Sequence, residues 1–306
     1  MSNKPQPIDF LALLALALMW SSSFLFIKIA VETITPLSLA AGRMLIAAVI
    51  LYVFMKIKGI ELPTDGKSWL FFLAIGIVGN VIPFFLISWA ELTVDSSIAS
   101  ILIGSTPLIS FVLGHFVTSD EKLTPDRIVG VLVGFAGIIV LIGPEAIMKL
   151  GSGVLGQFAI ILAGAGYVSS SFIARSMPAM EPRSRAAGVL IVASLISVPI
   201  ALVFDQPWTL DPTPLSVAAL TILGIFPTAI ATVLLFFVIM RVGATFVILN
   251  NYLNPALGVI WGYFFVNEIP SFQTYMGLCL ILAGMVFTQL KLSKYFRRKA
   301  RNLSAD

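Results

Sequence analysis

The sequence predicts an all-α integral membrane protein, with ten transmembrane helices arranged as a five-plus-five inverted repeat. Three observations carry this. First, 58% of the residues are hydrophobic and only 11% are charged, against roughly 25% charged in an ordinary soluble domain. So few charges could not cover the surface of a soluble chain of 306 residues. Second, the chain divides into apolar runs of spanning length. Third, features of the first half recur about 147 residues later in the second.

A spanning helix needs about 20 apolar residues. The runs place spans near 9–30, 36–56, 68–90, 96–118, 125–143, 153–175, 184–204, 214–239, 243–266 and 272–290. The first run is too long and continuous for a cleaved signal peptide, so it reads as a retained helix behind a short polar tail. The breaks have turn and cap chemistry: KIKGIELPTDG, SDEKLTPD, GPEAIMKLGSG, DQPWTLDPTP and NEIPS. None is long enough for a soluble domain, so function must sit inside the bundle. The division expected is a cytoplasmic tail over 1–8, a first five-helix repeat over 9–147, a second over 148–290 and a basic tail over 291–306.

Orientation follows from lysine and arginine. With the N-terminus in the cytoplasm, all but Lys28, Arg43 and Lys149 of the 19 basic residues fall on the inside. Both termini are therefore expected in the cytoplasm. The tail KLSKYFRRKAR reads as a topology anchor, and the net charge of +4 forms no basic face for nucleic acid. Cys279 cannot form an internal disulfide and reads as a buried small hydrophobe. One histidine and no Cys/His cluster leave no metal site, and no cofactor is implied.

The repeat is visible residue by residue. WSSSFLFIK from Trp20 is echoed by YVSSSFIAR from Tyr167. Pro36–Gly42 matches Pro182–Gly188, Pro107 matches Pro255, Gly114 matches Gly262, and Glu121 matches Glu268. Gly130 and Gly137 match Gly277 and Gly284. Five helices per copy is an odd number, so the second copy enters the membrane upside down. Such inverted repeats mark secondary transporters, with a site near the midplane where the copies meet.

Two helix–loop elements, STPLISFVLGHFVTSDEKLTPDRIVGVLVGFAGI and LNPALGVIWGYFFVNEIPSFQTYMGLCLILAGM, together with WSSSF in the first helix, resemble the EamA-type drug/metabolite transporters. The resemblance covers roughly residues 9–290, and within that group the chain is most similar to the YddG-type bacterial amino-acid exporters. It implies a basket-like bundle around a central cavity, placed in the bacterial inner membrane. It also implies export of amino acids or related metabolites by alternating access. The expected partners are a small-molecule solute and the lipid bilayer, with the protein acting as a monomer. Another metabolite or a drug on the same fold stays open, as does, remotely, a membrane scaffold. An enzyme would need a catalytic set of clustered Asp, Glu or His, which the scattered carboxylates and lone histidine do not supply.

Polar groups at membrane depth are the candidate site, because apolar helices offer a solute no hydrogen bonds. Asn250 and Asn254 share a face of the ninth helix, beside Asn251, and Pro255 should kink that helix. Thr106, next to Pro107, holds the equivalent place in the fourth. Asn80 precedes Pro83, and Pro227 precedes Thr228 nearby in the repeat. These four prolines are the expected hinges. Trp20 and Tyr167 stand mid-span, away from the interfacial belts. They are expected to flank the cavity with Phe24 and Phe84. Of the serines, Ser23 and Ser170 are the candidate contacts and the rest serve packing, where the first and sixth helices are expected to meet. Lys28 is expected to snorkel to headgroups. Arg43 should pair with Glu32 or a carbonyl, or else attract a carboxylate. His115 reads as a satisfied interfacial histidine. No Asp or Glu falls at the midplane, which speaks against a dedicated carboxylate proton relay. Neutral or zwitterionic solutes fit this set best.

Overall fold

The computed structural model describes residues 5–117, 123–143, 151–247 and 249–289. Ten helical spans cover them: α1 Pro7–Ala30, α2 Pro36–Ile57, α3 Gly66–Ala90, α4 Ser96–Val117, α5 Pro125–Ile142, α6 Ser152–Arg175, α7 Pro182–Phe204, α8 Pro214–Val242, α9 (Ala244–Val247, then Asn250–Phe265) and α10 Phe272–Gln289. Each lies within a few residues of its expected span, and the described residues contain no strand. The basic tail beyond Gln289, Glu121 and Lys149 lie outside the described residues.

Local chemistry sets the starts. α1, α2, α5, α7 and α8 begin on proline, whose fixed φ and missing N–H suit the first helical position. Asp65 caps α3 by accepting the Ser68 N–H at 2.8 Å, and Glu181 caps α7 by accepting the N–H groups of Arg183 and Ser184. Large apolar side chains such as Leu11, Leu132, Leu162, Leu195 and Phe264 remain exposed on the outer faces. Such a surface suits lipid and not water.

The packing has the symmetry of the sequence. α2 lies on α7, α4 on α9, and α5 on α10. α1 packs on α8 and α9, while α6 packs on α3 and α4. Adding five to each helix number turns one set of neighbours into the other. Each repeat thus lends its first helix to the opposite repeat. This corrects the expected meeting of α1 and α6, which make no extended contact with each other. The α5–α10 seam is made of repeat-related glycines. A Cβ on Gly284 would lie 2.5 Å from the Gly130 carbonyl oxygen, and one on Gly130 would lie 2.6 Å from that of Gly284. Small residues let the backbones come this close where water supplies no driving force.

Two helices change gauge at matching places. α3 widens into a π-helical turn at Ile77–Val81 and α8 at Gly224–Ile230. Wide turns of this kind recur at functional sites. Each is tied by a side chain reaching five residues back: Asn80 Nδ2 donates to the Ile75 carbonyl at 3.3 Å, and Thr228 Oγ1 to the Leu223 carbonyl at 2.7 Å. Pro227 has no N–H for Leu223, so the neighbouring hydroxyl takes its place. In α4, the Thr106 hydroxyl does the same for Ile103, whose carbonyl Pro107 leaves unbonded.

Two further expectations change here. Cys279 is exposed on α10, turned away from the glycine seam. An apolar run cannot distinguish a lipid-facing residue from a core one. The ninth span is not one helix but a short helical turn followed by the longer segment that carries Pro255 inside it.

Candidate functional site

The centre of the bundle is organised by Arg43, which is 4% exposed. Its Nε and Nη2 donate to Thr228 Oγ1 on α8 at 3.3 and 3.0 Å, and Nη2 reaches Ser23 Oγ on α1 at 3.5 Å. The guanidinium lies over the Phe84 ring on α3, 4.0 Å from its centroid. Four helices therefore fix one cation, with Tyr167 of α6 and Glu91 within electrostatic reach. Glu32 is exposed and is not an ion-pair partner of Arg43 among the described residues, which corrects the pairing expected from the sequence. The wide turn in α8 explains the geometry, because it carries buried Thr228.

A second polar centre lies on α9. Asn250 and Asn254 are both buried. Both amide atoms of Asn250 and the amide oxygen of Asn254 are sealed from solvent and bond nothing among the described residues. The backbone carbonyl of Asn254 accepts from Ser100 Oγ of α4 at 2.9 Å. Buried amides are nearly always bonded, and these three atoms on neighbouring turns of α9 form a cluster of unpartnered polar groups. α1 joins the two centres: Ser23 faces Arg43, while Ser21 Oγ accepts the Trp261 indole N–H from α9 at 2.9 Å.

The other expected site residues divide. Phe24 is buried in the core shared by α1, α3, α4 and α6, and Tyr167 packs at its edge. Trp20 is half-buried. Pro83 sits against Gly166 of α6. The Ser170 hydroxyl is spent on the Tyr167 carbonyl at 2.8 Å, and the residue packs against Gly79. Thr106 and Asn80 bond their own helices, as described. Ser21 and Ser22 also bond back to the carbonyls of Leu18 and Met19, the packing role expected of them. His115 accepts the Leu123 N–H through Nδ1.

Lys28 does not snorkel. Its Nζ donates to the carbonyls of Glu91 and Val94 at 2.9 and 3.0 Å, closing the C-terminal end of α3, where carbonyls lack helical partners. Glu91 itself was missed by sequence reasoning. It is wholly buried, and neither carboxylate oxygen has a hydrogen-bond partner among the described residues. The signal was an acid ending an apolar run, WAELTVD. Arg43 and Thr228 were seen but not joined, because nothing in the sequence relates positions on α2 and α8.

One end of the bundle is locked. Glu268, between α9 and α10, accepts the N–H groups of Ser96 and Ser97 at 2.6 and 2.9 Å, a charge-assisted cap on α4. Beside it α4 and α9 cross tightly: a Cβ on Gly104 would lie 2.2 Å from Pro255 Cγ, and one on Gly258 2.1 Å from Ser100 Oγ. Towards the end that holds the N-terminus they part. Among the described residues, Thr106–Val117 of α4 makes no extended contact with α9.

The family model described as the EamA-like transporter family matches residues 7–143 and again 154–290. The chain belongs to the EamA-like transporter family. An uncharacterized transporter of Archaeoglobus fulgidus is 28% identical over 91% of this chain and 96% of its own. The uncharacterized transporter YdfC of Bacillus subtilis is 27% identical, covering 90% of this chain and 89% of its own. The uncharacterized inner membrane transporter YedA of Escherichia coli K12 is 28% identical, covering 92% and 90%. A crystal structure with 21% identity superposes with a TM-score of 0.65 over 93% of this chain and 98% of the other, which shows a shared fold. The protein is therefore a multi-pass membrane transporter of this family.

Proposed function

We propose that this EamA transporter exports amino acids, neutral and aromatic ones favoured, across the bacterial inner membrane by alternating access. One observation carries the mechanism. α4 and α9, the symmetry-related helices with Pro107 and Pro255, are joined at one end of the bundle and parted at the other, beside buried asparagines that lack partners. The distribution of basic residues puts the N-terminal end in the cytoplasm. On that orientation the joined end of α4 and α9 faces outward and the parted end faces the cytoplasm, which supports reading this as the inward-facing state. Exchanging the conformations of the two repeats would close the inner end and open the outer. Pro83, Pro107, Pro227 and Pro255 sit where the helices change gauge or cross, and serve as hinges. Solute is held between Trp20, Phe24, Phe84 and Tyr167, with Ser23, Asn250 and Asn254 as polar contacts and Asn80, Thr106 and Ser170 shaping the walls. The membrane assignment draws support from the inner membrane relative, and a single chain supplies all of these residues.

Counterflow in proteoliposomes tests this. Vesicles preloaded with an unlabelled amino acid should accumulate trace labelled phenylalanine, and Asn254→Ala and Trp20→Ala should each reduce the initial rate at least about tenfold. Failure of every amino acid to drive accumulation, in protein that elutes as a folded species, would remove the amino-acid assignment.

A further inference from the structure

Arg43 is oriented but not neutralised. A guanidinium offers five N–H donors in a planar fork. Nε and Nη2 are engaged by Thr228 and Ser23, and the ring of Phe84 covers one face. Nη1 donates to nothing among the described residues, yet it is not one of the sealed unpartnered atoms. The small part of Arg43 that stays open is therefore available to a ligand. No carboxylate of the described residues forms an ion pair with it. Glu91 is near enough to feel its charge, but its own oxygens bond nothing.

An uncompensated buried cation is costly. Here two hydroxyls and an aromatic face hold it in one orientation and leave its charge unmet. A structural arginine would be saturated by carbonyls or an acid, whereas a binding arginine must keep donors unspent and preorganised. In the second repeat, the position equivalent to Arg43 is Val189, so the repeat frame does not require a cation there.

We propose that Arg43 Nη1 receives the carboxylate of the transported solute, making this a site for singly charged carboxylates. The proposal rests on the transport reading above and narrows it. One free nitrogen on one buried charge matches a single carboxylate through a charge-assisted hydrogen bond. Amines without a carboxylate, and carboxamides, place no negative charge there and are rejected.

The test uses the full-length wild-type protein in proteoliposomes, with labelled phenylalanine competed by phenylalanine, phenylalaninamide and phenethylamine. The amide and the amine should compete at least about tenfold more weakly than the acid. Arg43→Lys should raise half-saturation while keeping that order, because it keeps the charge and loses the fork. Arg43→Gln should bring acid and amide level. Equal competition by acid and amide in wild type overturns the proposal without any variant. So does an undiminished preference for the acid in folded Arg43→Gln. If no amino acid moves, the pairs benzoate with benzamide and lactate with lactamide separate the two ideas. Movement of the acids alone upholds the Arg43 site while the amino-acid reading falls. Movement of the amides alone, or of no carboxylate, overturns the site.

Discussion

Replacing Gly104 by alanine should loosen the locked end of the bundle. The new Cβ would lie 2.2 Å from Pro255 Cγ and 2.9 Å from Pro255 Cδ, where carbon atoms need about 3.5 Å or more. A proline ring inside a helix cannot rotate away, so α4 and α9 must separate by about 1 Å. Overpacking of this kind costs about 1–3 kcal/mol. Alanine returns about 0.5–1 kcal/mol through its better helix propensity. The net penalty of about 1–2 kcal/mol corresponds to a shift of about 5- to 30-fold in a two-state ratio. It falls only on conformations in which α4 and α9 touch at this point. The readout is labelling of a single cysteine at Ser97→Cys, in a Cys279→Ser background, by a membrane-impermeant thiol reagent. Ser97 is buried under the Glu268 cap, so labelling should speed up in proportion to the shift. Gly153→Ala is the control, since the nearest atom to its Cβ would be the Thr93 carbonyl oxygen at 3.8 Å. If Gly104→Ala labels at the wild-type rate and melts at the wild-type temperature, the close crossing is wrong.

Three other substitutions probe the frame. Glu268→Gln removes the charge but not the shape of the α4 cap, and should raise Ser97→Cys labelling by a smaller factor, since caps are worth about 0.5–2 kcal/mol. Gly284→Ala places a methyl against backbone on two sides, 2.5 Å from both the Gly130 oxygen and the Gly134 nitrogen. It should cost about 3 kcal/mol and lower the yield of monodisperse protein more than Gly104→Ala does. Glu91→Gln should stabilise, and the pH dependence fixes the sign. Burial pushes the Glu91 carboxyl well above the usual range, against the opposing pull of Lys28 and Arg43 and with help from Glu268. The folded state thus prefers the proton, and stability is lost as pH rises above the ordinary carboxyl value. The gain in melting temperature from Gln should be larger at pH 8 than at pH 5; an equal gain at both would mean Glu91 is not buried as described.

The helices were legible because a membrane simplifies the code. Each span announces itself by an apolar run, and half of them also by proline at the start, as at Pro36 and Pro182. The repeat was legible because glycine and proline are irreplaceable where backbones touch or bend, so Gly130 and Gly137 recur in register as Gly277 and Gly284. What was not legible is which side chains converge. Lipid-facing and core residues are equally apolar, which hid the exposure of Cys279. The swap of α1 and α6 into opposite repeats cannot be read from periodicity, so the expected meeting of those two helices was not found. Arg43 was noticed as costly, but its partners come from α1, α3 and α8, which no local pattern links. Thr106 and Ser170 were read as ligands when their hydroxyls answer their own helices' carbonyls.

The main features of the frame and the proposed solute contacts stand differently towards the repeat. Three main features of the frame respect the repeat: the wide turns at Ile77–Val81 and Gly224–Ile230, the glycine seam and the exchange of first helices. A symmetric frame of inverted copies gives two conformations related by exchanging the copies, and so of comparable energy. That degeneracy is what alternating access requires, since a small bias can then move the population. A solute has no such symmetry, so what recognises it must break the pattern. Arg43 stands opposite Val189, and Asn254 opposite Thr106. Glu91 has no acidic counterpart at the end of α8, where the chain reads RVGATF. On the proposed function, Arg43 and Asn254 are where substitution should change what is carried without changing how the helices fold.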